Sequence, residues 1–281
     1  MKVGVLGAGT MGNGIAHVFA QCNNKVILVD INETVLEEAR NTINNNLKRQ
    51  LQKKIIKESN LNEAMGNIEL STDMNTFKSC DLIIEAIKED LELKKKIFKQ
   101  LDSICDTKTI LASNTSSISI NSLATSTNRP DKVIGMHFMN PVPVMKLVEI
   151  IKGEKTSSDT LNMITDISKS LNKIPIQCND SPGFVSNRIL MPMINEAAHC
   201  YNEGVADAVS IDSIMQLGMG HPMGPLKLAD LIGIDVCVYI LDVLFTEFND
   251  IKYKPCKILI DMAQNNELGK KTGKGFYKYE F

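Results

Sequence analysis

The chain of 281 residues is long enough for one large or two ordinary domains, with 43% hydrophobic residues for a core and 23% charged residues for a surface. A formal net charge of −2 supplies no global field toward nucleic acid or an anionic membrane. No apolar run reaches the roughly 18 residues of a membrane span.

Residues 2–6 predict a first strand, because polar residues interrupt the apolar stretch too soon for a signal peptide. Directly after it, Gly7-Ala8-Gly9-Thr10-Met11-Gly12 is GxGxxG between a strand and a helix. Gly7 permits a tight turn, Gly9 lets a pyrophosphate approach the backbone, and Gly12 lets helix and strand pack closely. The helix start then offers amide donors and a positive dipole end to phosphates. Asp30 closes the next strand, 25–30, and stands 23 positions after Gly7 (30 − 7). A carboxylate there takes a ribose 2′-hydroxyl and repels a 2′-phosphate, so NAD is expected rather than NADP. Helical patterns over 32–56 and 90–104 fall among strands at 82–85, 109–113 and 132–138. That alternation implies a parallel sheet wrapped by helices. The run Lys94-Lys95-Lys96 before Ile97-Phe98 reads as one solvated helix face.

Two segments carry chemistry. Ala112-Ser113-Asn114-Thr115-Ser116-Ser117 is a polar cluster at the end of a buried strand, where open α/β sheets bind ligands; a turn or helix cap is the alternative. In Gly135-Met136-His137-Phe138-Met139-Asn140-Pro141-Val142-Pro143-Val144-Met145-Lys146-Leu147-Val148-Glu149, prolines break the chain between two strand-like stretches. If these pair antiparallel about Pro143, His137 and Glu149 face each other on one side of the sheet. A carboxylate there fixes the imidazole tautomer and raises its basicity, which suits a group that removes a hydroxyl proton during hydride transfer. His17, His199 and His221 read as structural histidines.

The character changes near residue 180. Ser181-Pro182 reads as a helix start, with Ser181 as cap, Pro182 in the first turn and Gly204 as the stop. Helical segments follow at 211–218, 225–232, 235–248 and 254–265. The expected organisation is α/β: a Rossmann-type dinucleotide-binding domain over 1–180, then an all-α domain over 181–281. Met191, Met193, Ile194, Leu226, Leu228, Leu231 and Ile232 need burial, and so apolar a lobe is expected to complete its core against a second copy, as a homodimer. Cys22, Cys80, Cys105, Cys178, Cys200, Cys237 and Cys256 show no CxxC pair and no histidine at zinc-ligand spacing. No metal is expected, and the thiols suit a reducing, cytoplasmic setting.

Together, GAGTMG, EAIKED, ASNTSS, GMHFMNPVPVMKLVEII, SPGFVSNR, HPMGP and KKTGKGFY resemble the 3-hydroxyacyl-CoA dehydrogenase family over nearly the whole chain. The resemblance implies NAD-dependent interconversion of a short-chain 3-hydroxyacyl-CoA and its 3-keto form, with an acyl-CoA substrate and a homodimer through the helical domain. It implies His137 as catalytic base, Glu149 as its orienting partner, Ser116 as a hydroxyl contacting the substrate oxygen and the nicotinamide, and Asn187 as an amide steadying the substrate. It also implies contacts to NAD from Glu89, Lys94, Asn140 and Lys271, and to CoA from Lys53 and Asn46, where the family commonly has serine at the latter. The length leaves no room for a fused hydratase, so a stand-alone dehydrogenase is expected. On the residues alone, two other readings stay open: a dehydrogenase of a free hydroxy acid or sugar acid, and a NAD-binding protein without catalysis.

Overall fold

A computed structural model of the protein describes residues 1–280. The chain divides into two units, Met1–Asp180 and a second that begins at Ser181.

The first unit runs β1 (Lys2–Leu6), α1 (Thr10–Gln21), β2 (Lys25–Val29), α2 (Glu33–Gln52), α3 (Glu58–Gly66), β3 (Ile68–Ser71), β4 (Leu82–Glu85), α4 (Leu91–Ile104), β5 (Ile110–Ser113), α5 (Ile120–Ala124), β6 (Val133–Phe138), β7 (Leu147–Lys152), α6 (Ser158–Ser170) and β8 (Ile174–Asn179). Among the described residues the strands form one sheet in the order β3-β2-β1-β4-β5-β6-β7-β8. From β3 to β6 the neighbours are parallel, whereas β7 runs antiparallel to β6 and parallel to β8. Central strands such as β4 and β5 are buried at every position, which is why they read as continuous apolar runs rather than alternating ones. Val3, Val5, Leu28, Leu82, Ile84, Ile134 and Ile150 anchor the core, with Ile15 and Phe19 of α1 packed among them. The strand order reverses between β1 and β4, and open α/β sheets bind their ligands at the carboxyl ends of strands beside such a reversal.

Several sequence expectations shift. Strand 25–30 ends at Val29, and the helix expected over 32–56 stops at Gln52, because Lys54 takes a left-handed conformation (φ 57°) before α3 begins. The edge strands β3 and β8 and helices α3, α5 and α6 have no counterpart among the sequence expectations.

The second unit comprises α7 (Ser186–Asn202), α8 (Ala208–Met219), α9 (Pro225–Ile232), α10 (Ile234–Phe248) and α11 (Lys257–Gln264). The helix expected from Ser181-Pro182 starts instead at Ser186, because Gly183 (φ 71°) and Phe184 (φ 52°) are left-handed and make a turn there. Met191, Ile194 and Leu226 enter a core with Leu241, Leu244 and Leu259, and Met193, Leu228 and Ile232 are partly buried, whereas Leu231 is exposed. Two buried acids tie the unit together. Asp212 accepts from the amides of Leu226 and Lys227 and from the Tyr277 hydroxyl; Asp230 accepts from the amides of Phe276 and Tyr277 and from the Tyr279 hydroxyl. No helix among the described residues is long and apolar enough to cross a membrane, and no cluster of metal-ligating residues occurs among them.

Candidate active site

The nucleotide side of the site is built at the β1–α1 junction. Gly7 is left-handed (φ 99°), and its amide donates to the Val29 carbonyl at 2.8 Å, which turns the chain sharply off β1. A Cβ on Gly12 would stand 1.7 Å from the Gly7 carbonyl oxygen, so the helix approaches the turn at backbone contact. A Cβ on Gly9 would meet no protein atom within 4 Å. The protein's own packing therefore does not require a glycine at this position. No side chain caps α1, which leaves its first-turn amides to a ligand. Asp30 lies just past β2, with Oδ2 accepting from the Ala8 amide at 2.8 Å and Oδ1 from the Asn32 amide at 3.1 Å. Gly7, Gly9, Asp30, Ala86 and Ile87 share the wall of a cleft of about 1060 Å³. Glycine turn, uncapped helix start and acid beside one cleft fit a dinucleotide.

The chemical side lies at the same carboxyl edge of the sheet. In the β6–β7 hairpin the register pairs His137 with Glu149, as the symmetry about Pro143 requires. His137 Nδ1 and Glu149 Oε2 are 2.7 Å apart, and both residues are buried. The hairpin turn carries Asn140 and a cis Asn140–Pro141 bond and packs on α1, where Val142 fills the space a side chain on Gly14 would need. Asn114, just past β5, accepts through Oδ1 from the Phe138 amide at 2.9 Å and so ties the serine-rich turn to the strand bearing His137.

Lys94 corrects the sequence reading. It is not on a solvated face: only 1% exposed, its ammonium lies 2.6 Å from Glu85 Oε1 and 3.2 Å from Glu89 Oε2. The tripeptide Lys94-Lys95-Lys96 does not announce which lysine turns inward; a glutamate ending the preceding strand, Glu85, is the available signal. Glu89 in turn accepts from the Ser116 and Ser117 amides at 3.0 and 3.1 Å, from the Ser117 hydroxyl at 2.9 Å and from the Thr115 hydroxyl. Burial alone would push the Glu89 carboxyl up, but the Lys94 charge and the hydroxyls of Thr115 and Ser117 outweigh it and hold it below the usual carboxylate range.

The remaining expected residues are dispersed. Asn46 is half-buried on α2, and Lys53 is exposed at that helix's end, seven residues on and hence on the same face. In the second unit, Asn187 is a buried residue of the first turn of α7, and Lys271 pairs with Asp235 at 2.6 Å.

Strand order, glycine turn and His–Glu pair define a dinucleotide-dependent oxidoreductase unit followed by a helical unit. Family models narrow this. The 3-hydroxyacyl-CoA dehydrogenase NAD binding domain matches residues 2–181, and the C-terminal domain of the same family matches residues 183–279. The chain is 50% identical over 279 residues to a probable 3-hydroxybutyryl-CoA dehydrogenase of Deinococcus radiodurans, covering 99% of this chain and 100% of that protein. It is 49% identical to a 3-hydroxybutyryl-CoA dehydrogenase of Clostridioides difficile, with 99% of each covered. The crystal structure of (S)-3-hydroxybutyryl-CoA dehydrogenase from Ralstonia eutropha superposes with a TM-score of 0.96 at 47% identity, covering 100% of this chain and 99% of that one. The chain belongs to the 3-hydroxyacyl-CoA dehydrogenase family, and its cofactor is NAD.

Proposed function

We propose that the protein is a 3-hydroxybutyryl-CoA dehydrogenase, interconverting (S)-3-hydroxybutyryl-CoA and acetoacetyl-CoA. The observation that carries the reading is the His137–Glu149 pair, 2.7 Å apart and buried at the carboxyl edge of a sheet whose first turn fits a dinucleotide. Bound NAD supplies the hydride acceptor, and NADH the donor in reverse. The amides of Gly9, Thr10, Met11 and Gly12 hold the pyrophosphate, Gly7 and Ala8 shape the turn through their own amide bonds to the Val29 carbonyl and Asp30 Oδ2, and Asp30 takes the adenosine ribose. His137 removes the 3-hydroxyl proton at Nε2, the ring nitrogen that does not face Glu149. The Glu149 carboxylate fixes the tautomer and stabilises the imidazolium that forms. Ser116 and Asn187 are each assigned to the reacting oxygen by family resemblance, and correct placement of that oxygen supplies much of the rate. Asn140 and Lys271 are assigned to the cofactor and the α2 face of Asn46 and Lys53 to CoA by family resemblance; the basic character of Arg49, Lys53 and Lys54 suits an anionic ribose phosphate.

A homodimer through the helical unit is part of the same proposal, supported by exposed apolar side chains on α7 and α8, among them Ile189, Ile214 and Leu217. A cytoplasmic setting is supported by seven free thiols among the described residues.

The test is NADH oxidation with acetoacetyl-CoA, run beside free acetoacetate and beside NADPH. Turnover with NADH and the thioester only is expected. Equal turnover with free acetoacetate would transfer the assignment to a free keto-acid reductase.

A further inference from the structure

Between the nucleotide turn and the His–Glu pair lies an ion cluster in which Glu85 and Lys94 are buried and Glu89 is half-buried. Glu85 ends β4 fully buried; its Oε2 accepts from the Ser113 hydroxyl at 2.7 Å, and its Oε1 from the Ile87 amide at 2.7 Å and from Lys94 at 2.6 Å. An ammonium has three donors. Those of Lys94 have three protein acceptors: Glu85 Oε1, Glu89 Oε2 at 3.2 Å and the Ile87 carbonyl at 3.3 Å. The other Glu89 oxygen, Oε1, gathers the amides of Ser116 and Ser117 and the hydroxyls of Thr115 and Ser117. One carboxylate oxygen thus sets the backbone on both sides of the Ser116 side chain.

We propose that Glu85, Lys94 and Glu89 form a positioning relay for Ser116: Glu89 shapes the 115–117 turn, and Lys94 and Glu85 hold Glu89 in place from within the core. The inference rests on the role given to Ser116 above. Stability is a poor reason for such a cluster, since a buried ion pair often breaks even against apolar side chains of the same volume. Placement is a better one. A hydroxyl that must meet a reacting oxygen loses on the order of a hundredfold in rate for 1 Å of error, and the turn that carries Ser116 lies in neither a strand nor a helix. The family resemblance gives Glu89 and Lys94 to the cofactor. The relay gives them an indirect part, acting through the turn.

A double-mutant cycle separates the two. Ser116→Ala, Glu89→Gln and their combination are compared by kcat and KM for acetoacetyl-CoA and by NADH affinity from fluorescence titration. Glu89→Gln keeps the size and an acceptor oxygen but loses the charge that binds Lys94. The relay predicts a kcat about tenfold or more lower for Glu89→Gln, NADH affinity within about threefold of wild type, and a loss under about twofold when Ser116 is already alanine. Ser117→Ala removes one donor to Glu89 while leaving the ion pairs intact; it should show a smaller loss of the same kind, also vanishing in the Ser116→Ala background, and it serves if Glu89→Gln fails to fold. Equal losses with and without the Ser116 hydroxyl, or weakened NADH binding that persists in Ser116→Ala, would overturn the relay while leaving Ser116 its role. A silent Ser116→Ala would remove that role and the relay with it.

Discussion

A histidine that exchanges a proton at one ring nitrogen needs the other held, and in the proposed mechanism Glu149, 2.7 Å from His137 Nδ1 on the facing strand, has that part. Glu149→Gln keeps the shape but not the charge that stabilises an imidazolium. Turnover should fall by about tenfold or more, with a changed pH–rate profile; an unchanged profile would remove Glu149 from the mechanism. His17 shows the opposite environment. It is fully buried in α1, with Nε2 near Gln21 and Gln50 and Nδ1 without a partner among the described residues. Burial, aided by the Lys173 charge and opposed by the Gln21 bond, pushes its pKa down to about 4. The unfolded chain therefore takes up this proton near pH 6.5 and the folded chain not until about pH 4. Stability from this residue is complete above pH 6.5 and is lost as pH falls toward 4, by up to about 3 kcal/mol. In His17→Leu the slope of Tm against pH across that window should flatten; an identical slope would show that His17 does not titrate as its burial requires.

Among the elements, the β1–α1 turn separates folding from binding within one motif. Gly12→Ala places a methyl against the Gly7 carbonyl. It should cost about 1–3 kcal/mol of stability as well as NADH binding. Gly9→Ala meets no protein atom within 4 Å, so thermal stability should hold while NADH affinity, read by fluorescence titration, falls roughly tenfold or more, about 1.4 kcal/mol. A destabilised Gly9→Ala, or one that binds NADH normally, would contradict the role given to that space. This turn was legible in the sequence because its glycines answer to local backbone geometry. The His137–Glu149 register was legible for a similar reason: Pro141 and Pro143 mark the turn, and pairing follows by counting. Other features depend on non-local packing. Strands β3 and β8 lie at the two edges of the sheet, where exposed positions break the apolar run that marks a central strand. The burial of Lys94 depends on acids brought in from β4 and the loop after it, which helical periodicity alone does not register.

For the whole molecule, composition and the helical lobe's apolar character bear on assembly. Ile214 and Leu217 stand one turn apart on α8, and Leu217 is 89% exposed. If they seat against a second copy, sedimentation of the wild type gives a dimer, and Ile214→Glu combined with Leu217→Glu gives a monomer. A monomeric wild type, or a variant that remains dimeric, would remove this face from the interface. The proposed activity rests on His137 as base, and the most direct measurement is the kcat of His137→Gln for acetoacetyl-CoA reduction, taken with its NADH affinity. Loss of about a hundredfold or more in kcat with NADH binding retained is the predicted result. Retention of more than about a tenth of wild-type kcat would contradict His137 as the base.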